Sequence, residues 1–330
     1  TTGVQTYNNC SFHDFIVTGS IGMNVTGASG TGFSLVDNVF WNIANSHLNV
    51  VATSGTQVIT GNIFMKNITA SNNLANISDL GGTFTDNTFI SSVASGLVVN
   101  DASAYGTVSD IVGHSNASNG FVATIWGTAT IPNTITNYTG WRNLSSGMSF
   151  AGSNSVQNIN AIVENAVLFG NGTQGFRITN SRVQLNNSSI NSDSTFTTPS
   201  AISNQSNRSC IELFINNCDF DTASGIKTRT TNTFSFANDD LMIRIWMNNT
   251  LVNPVTAFFS PVNLPLNGFI AVTAYNRTAT DHRTYTRFGI NQSETTTVPS
   301  GETYSQKMTP NSASGKLTSF REFGTEYAVK

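Results

Sequence analysis

Eighteen carboxylates are spread over 330 residues, and Asp219 with Asp221 is the one local pair within the repetitive part of the chain. At a spacing of i, i+2 both side chains fall on one face of a strand. Two acids so placed can divide the acid and base work of glycosidic cleavage. Asp101 with Asp110, and Asp79 with Asp86, are pairs that stacked segments of chain can bring together. The plainer reading of all of these is a solvated turn acid. His13, His47, His114 and His282 show no metal-ligand spacing of the H-E-x-x-H kind and read as surface or satisfied polar groups. There is no G-x-S-x-G, no P-loop and no C-x-x-C, and no helix signal follows the glycine-rich stretch from Gly27 to Gly32. No metal or cofactor is therefore expected.

The aromatic residues carry more promise. Trp126 and Trp141, with Tyr105 and Tyr138, are rings that can stack on sugars, and Trp126 and Trp141 fall near loops between rungs, where an exposed indole is a platform. They are the expected glycan-binding residues. Trp41 is expected in the core.

Charged residues are 10% of the chain and hydrophobic ones 38%, against a usual charged fraction of about 25%. The place of charge is taken by 42 Asn and 82 Ser or Thr, which suits a β surface wetted by amides and hydroxyls. The net charge of −3 comes without a basic stripe, which argues against nucleic acid as a partner. No apolar run approaches the roughly 20 residues that cross a bilayer as a helix. The chain starts Thr1-Thr2-Gly3, without Met or a signal-like segment, and is read as a fragment or processed product. Cys10, Cys210 and Cys218 form no framework and are expected to be buried free thiols, with a Cys210–Cys218 pair as the alternative if one coil brings them together.

What must position these groups is a repeat. Asn or Asp, two variable positions and then usually a large apolar residue recur at Asn9, Asn38, Asn62, Asn87, Asp110, Asn137, Asn165, Asn187 and Asn217. The nine copies are 22 to 30 residues apart. A second pattern of Gly followed by alternating apolar residues lies between them, as in Gly32-Phe33-Ser-Leu35, Gly96-Leu97-Val-Val99, Gly120-Phe121-Val-Ala123, Gly147-Met148-Ser-Phe150 and Gly175-Phe176-Arg-Ile178. Runs of four or five alternating residues are half-buried strands, and helix starts and stops are nearly absent. A period of this size with two or three short strands is one coil of a β-solenoid. A single coil cannot bury its apolar face, so coils stack and each strand pairs with its equivalents above and below. Asn side chains stacked at a corner can hydrogen-bond along the axis. A propeller blade is longer, and a sandwich lacks the long period.

These rungs resemble those of the pectate-lyase-like right-handed parallel β-helix superfamily, including bacteriophage tailspikes and fibres. The resemblance covers residues 7–228 and rests on rung pattern, not on a catalytic signature. It implies an all-β fold, a right-handed parallel β-helix of about nine coils over residues 1–230. It further implies a protein of the virion surface or the extracellular space. Its work there would be that of a tail spike, fibre or capsid decoration, in host attachment or particle stabilisation. The partners so implied are its own copies in a homotrimer, other virion proteins and host surface polysaccharide, with neither nucleic acid nor membrane insertion. A polysaccharide depolymerase, either lyase or glycoside hydrolase, and a bacterial surface adhesin module are the alternatives on the same fold.

After Thr228 the repeat stops. Strand candidates around Ile243–Met247, Gly268–Tyr275, Thr284–Ile290 and Tyr304–Met308, with Pro261, Pro265 and Pro299 between them, predict a small antiparallel sandwich or jelly roll over 231–310. Residues 311–330 read as a more charged tail.

Overall fold

The structure, a computed structural model, describes residues 5–26, 32–51, 57–68, 72–78, 82–101, 107–127, 132–152, 159–192, 200–203 and 210–220. Beyond these it describes the strands 232–235, 242–248, 257–259, 271–278, 281–288, 319–322 and 325–328. No helix occurs among the described residues. Two compact units are present, Thr1–Ala151 with Asn158–Val167, and Gly152–Gln157 with Leu168–Lys330.

The first unit is a parallel β-helix of six complete coils, each with three strands. The entry strands are Gln5–Asn8, Phe33–Val36, Gln57–Thr60, Thr83–Thr85, Thr107–Ser109 and Asn133–Thr136. Each pairs in parallel with its equivalents in register, as Leu35 does with Ile59 and Phe84 with Val108. The central strands are Ser11–His13, Val39–Ile43, Ile63–Asn67, Thr88–Ile90, Val112–His114 and Thr139–Trp141. The exit strands are Met23–Thr26, Leu48–Val51, Ala75–Ser78, Leu97–Asp101, Phe121–Trp126 and Ser146–Ala151. Because side chains alternate along a strand, every second residue enters the interior. Leu35, Ile59, Phe84, Val108 and Ile135 of the entry column and Leu48, Ile77, Leu97, Phe121 and Met148 of the exit column are buried.

Two corners bound each central strand. At the first, Asn9, Asp37, Gly61, Asp86, Asp110, Asn137 and Asn165 all have φ between 50° and 69°, the left-handed region that Asn, Asp and Gly tolerate best. The next residue points inward. Asn38, Asn62 and Asn87 stand there with no exposed surface and form the axial ladder that the repeat suggests. Asn38 Nδ2 donates to Asn62 Oδ1, and Asn62 Nδ2 to Asn87 Oδ1, each at 3.0 Å. The same oxygens accept the backbone N–H groups of Asn38 and Asn62. Phe12, Phe40, Phe64 and Phe89 stack beside this ladder, with ring centroids 4.7 to 4.9 Å apart. At the second corner a similar ladder joins Ser92, Asn116 and Asn143, with Asn116 Nδ2 donating to Asn143 Oδ1 at 2.9 Å.

In the second unit, Gln174–Thr179, Ser200–Ser203, Asn232–Ser235 and Ala257–Phe259 pair successively in parallel. So do Ser181–Asn186, Cys210–Asn216 and Met242–Asn248. Apolar residues fall over apolar ones, Ile211 against Ile243 and Leu213 against Ile245. Parallel pairing therefore runs on to Phe259, past residue 230, where the repeat fades. The alternation of Ile243, Ile245 and Met247 marks a strand but carries no information on the direction of its partner. Antiparallel pairs appear further on, Ala271–Thr278 with Asp281–Phe288 and Ser319–Glu322 with Thr325–Ala328. The expected strand Tyr304–Met308 and the turns at Pro261, Pro265 and Pro299 lie outside the described residues. Cys10 and Cys218 are free thiols, and both directly follow a first-corner residue of left-handed φ, Asn9 and Asn217.

Candidate functional site

The outer face of the central column gathers the chemistry-bearing side chains. The second residue of each central strand points inward, so the residues on either side of it point out. The register places His13, Trp41, Met65, Ile90, His114 and Trp141 in one outward row, one per coil. Ile63, which is 39% exposed, and the partly exposed Val39 and Val112 lie alongside. The second corner then supplies Asp14, Asn42, Lys66, Ser91, Ser115 and Arg142, all with φ between 53° and 58°. Left-handed φ is uncommon in Lys and Arg; here the corner geometry, repeated in every coil, imposes it.

Two pairs on this strip are organised. Near its start, a ring nitrogen of His13 lies 3.0 Å from the Asp14 carboxylate, whose other oxygen accepts from Asn42 Nδ2 at 2.7 Å. The Asn42 hydrogen bond, and then that of His13, hold the Asp14 carboxyl below the usual carboxylate range. The Trp41 ring stands 6.3 Å from His13 and is 39% exposed. Four coils on, His114 stacks on Trp141 at 4.2 Å and 12°. Burial, then the Arg142 cation, keeps His114 below its ordinary pKa, so the ring is neutral at pH 7. Trp41 and Trp141 are separated by about 19 Å along the axis, four inter-strand spacings. An extended polymer lying along the row can touch both.

The expected platform residues divide. Trp141 is on the outer face. Trp126 is completely buried; its Nε1 donates to the Asn133 carbonyl at 3.0 Å and its ring meets Phe121 edge-on. Tyr138 is also completely buried, its hydroxyl donating to the Gly147 carbonyl at 2.8 Å. Neither ring has a face free for a sugar, which corrects the expectation for both. Trp41 is corrected in the opposite sense. Its motif aligns with Asn9-Cys-Ser-Phe12, but Phe12 pairs with Phe40, and that one-residue difference turns Trp41 outward. Tyr105 lies outside the described residues.

Among the acids, Asp219 is half-buried and bridges to Ser189 through its backbone, while Asp221 and Asp79 lie outside the described residues. Asp101 ends an exit strand and Asp110 stands at the first corner, so they occupy different columns. Asp86 and Asp110 do occupy adjacent coils at that corner, both exposed. The Asp110 carboxylate accepts from Asn137 Nδ2 at 2.8 Å, and hydrogen bonds from Ser109 and Asn137 lower its pKa. Among the described residues no three His, Cys, Asp or Glu side chains converge to hold a metal ion.

The stacked, in-register strands define the class: a parallel β-helix. No family model matches the chain, and no curated protein matches it. Among solved structures it is similar to pectate lyase Pel9A, with a TM-score of 0.44 and 12% identity over 76% of this chain and 69% of that one.

Proposed function

We propose that this β-helix is a surface protein of a bacteriophage virion, a tail spike, fibre or capsid decoration, that attaches the particle to host surface polysaccharide through the outer strip. The observation that carries the reading is the outward row from His13 to Trp141, exposed at His13 and Trp41 and half-buried from Met65 on, with an indole in the second and sixth coils. Aromatic and aliphatic groups in that row offer apolar contact to sugar rings, and Lys66 and Arg142 flank it with positive charge. In this reading the chain works as a homotrimer beside other virion proteins, at the virion surface or outside the cell.

Binding of the purified chain to immobilised host surface polysaccharide tests the reading. Trp41→Ala and Trp141→Ala are each expected to weaken binding about tenfold and to leave thermal stability nearly unchanged. Trp126→Ala is expected to reduce stability by about 3–5 kcal/mol. Equal binding by wild type and both surface variants overturns the assignment of the strip.

A polysaccharide depolymerase is the second reading, and the His13–Asp14–Asn42 arrangement favours it. A histidine oriented by a carboxylate through one ring nitrogen leaves the other nitrogen able to take a proton. Shortening of the polymer over time, lost in His13→Ala, would replace attachment by cleavage.

A further inference from the structure

Of His13, His47 and His114, only His47 has no exposed surface. It occupies the turn between Val39–Ile43 and Leu48–Val51. Its backbone is fully engaged, the N–H donating to the Leu74 carbonyl at 2.8 Å and the carbonyl accepting from Met23 N at 2.9 Å. Its ring is not: neither Nδ1 nor Nε2 has a hydrogen-bond partner among the described residues. Burial lowers its pKa to about 4, an effect that the nearby backbone of Lys66 and Phe40 offsets only in part. A buried polar ring without partners is tolerable only while it is uncharged.

Beyond the backbone of Lys66 and Phe40, the surroundings offer no compensating charge. In the other coils the equivalent position holds Gly22, Leu74, Gly96, Gly120 and Gly147, none of which can titrate. A Cβ on Gly22 would lie 2.6 Å from both the His47 carbonyl oxygen and Ile43 Cδ1, so the first coil packs tightly against this turn. The packed strands Met23–Thr26, Leu48–Val51, Ala75–Ser78 and Val39–Ile43 carry no ionisable side chain. Ile63–Asn67 carries Lys66, whose side chain is exposed, and Asp14 is exposed and already bound by His13 and Asn42.

We propose that His47 makes the first three coils an acid-triggered switch. Uptake of one proton on its ring opens the second corner there and uncovers the Phe12–Phe40–Phe64 stack, while coils four to six stay closed. The direction follows from linkage. The opened state binds the proton with ordinary histidine affinity, about 300-fold more tightly than the closed state. The stabilising effect of a neutral His47 is thus complete above pH 6.5 and is lost as pH falls from 6.5 to about 4. Each pH unit in that window raises the opened fraction about tenfold.

Hydrogen exchange on the full chain between pH 7 and 4.5, corrected for the intrinsic pH dependence of exchange, tests the switch. Protection of Met23–Thr26 and Leu48–Val51 is expected to fall about 100-fold relative to Phe121–Trp126. His47→Leu, the residue found in the next coil, is expected to abolish that difference. A variant that keeps the selective acid loss, or a wild type without it, overturns the proposal. Should the variant fail to fold, the wild-type imidazole resonance decides. A His47 ring that stays neutral until the coils open near pH 4 upholds the switch, and titration near pH 6.5 in the closed protein ends it.

Discussion

Coils two to four and coils five and six of the first unit solve the same packing problem with opposite assignments. In the earlier coils the first corner holds Asn38, Asn62 and Asn87, and the second position of the central strand holds Phe40, Phe64 and Phe89, all buried. In the later coils the corner holds Ile111 and Tyr138, and the strand holds Gly113 and Gly140. The bulk has moved from strand to corner. A Cβ on Gly113 or Gly120 would lie 2.7 or 2.3 Å from the Tyr138 oxygen, so these glycines make room for the tyrosine. The amide function has moved too, to the second corner, where Asn116 and Asn143 bond to each other and Asn143 Nδ2 donates to the Gly113 carbonyl. A coil needs its interior filled and its corner backbone groups satisfied. Which residue performs each task is interchangeable, provided that its neighbours along the axis change with it.

The largest expected effect tests whether the amide ladder is essential where it stands. Asn62 accepts from the backbone and side chain of Asn38 and donates to the carbonyls of Leu35 and Thr60. Asn62→Leu keeps the heavy-atom branching, with some added bulk, and leaves these groups unpaired in the interior. At about 1–3 kcal/mol for each buried unsatisfied group, the loss should reach at least about 3 kcal/mol, read from the urea midpoint. A loss below about 1 kcal/mol would mean that an apolar corner like that of Ile111 serves everywhere, and the contrast between the coils would collapse.

An intermediate effect tests the exchange of bulk. Gly120→Ala puts a methyl 2.3 Å from the Tyr138 hydroxyl, 2.8 Å from the Gly147 carbonyl and 2.9 Å from Asn143 Nδ2, and overpacking of this kind costs about 1–3 kcal/mol. Tyr138→Phe alone removes one hydrogen bond, a loss of about 1 kcal/mol. Combined with Gly120→Ala it also removes the closest clash, so the double variant should be more stable than the sum of the single losses implies. Strict additivity in that cycle would show that glycine and tyrosine are not a matched pair.

The period, the strand content and the stacked amides were all legible in the residues, because alternation and recurrence follow directly from coil geometry. The register was not. Asn recurs at two adjacent corner positions for two different reasons. One is tolerance of left-handed backbone, as at Asn9 and Asn137; the other is hydrogen bonding along the axis, as at Asn62. A single motif merged them and shifted coils two to four by one residue, which is why Trp41 was expected inside. The doublets Asp37-Asn38, Gly61-Asn62 and Asp86-Asn87 hold the missing signal, a left-handed residue followed by a ladder residue. At the second corner Lys66, Ser91 and Arg142 adopt the same backbone without any residue preference that announces it. Trp126 was misplaced for another reason: nearness to a loop in sequence does not say which face of the coil a ring enters, and the residue type alone says no more for Tyr138.

The smallest expected effect separates the two kinds of corner asparagine directly. Asn137 has φ 55° and lies exposed, its Nδ2 donating to Asp110 and its oxygen accepting from Asn165 Nδ2 at 3.2 Å. Asn137→Gly sacrifices hydrogen bonds that water replaces and keeps the left-handed backbone without strain. The added entropy of the unfolded chain opposes that ease, so the net change should stay within about 0.5 kcal/mol. Asn137→Ala keeps neither the side-chain contacts nor the tolerance and should lose about 1–2 kcal/mol. The order of thermal midpoints, glycine near wild type and alanine below, marks a position selected for backbone conformation. The reverse order would place the stabilising role in the exposed amide row, and the buried and exposed ladders would then differ in degree, not in kind.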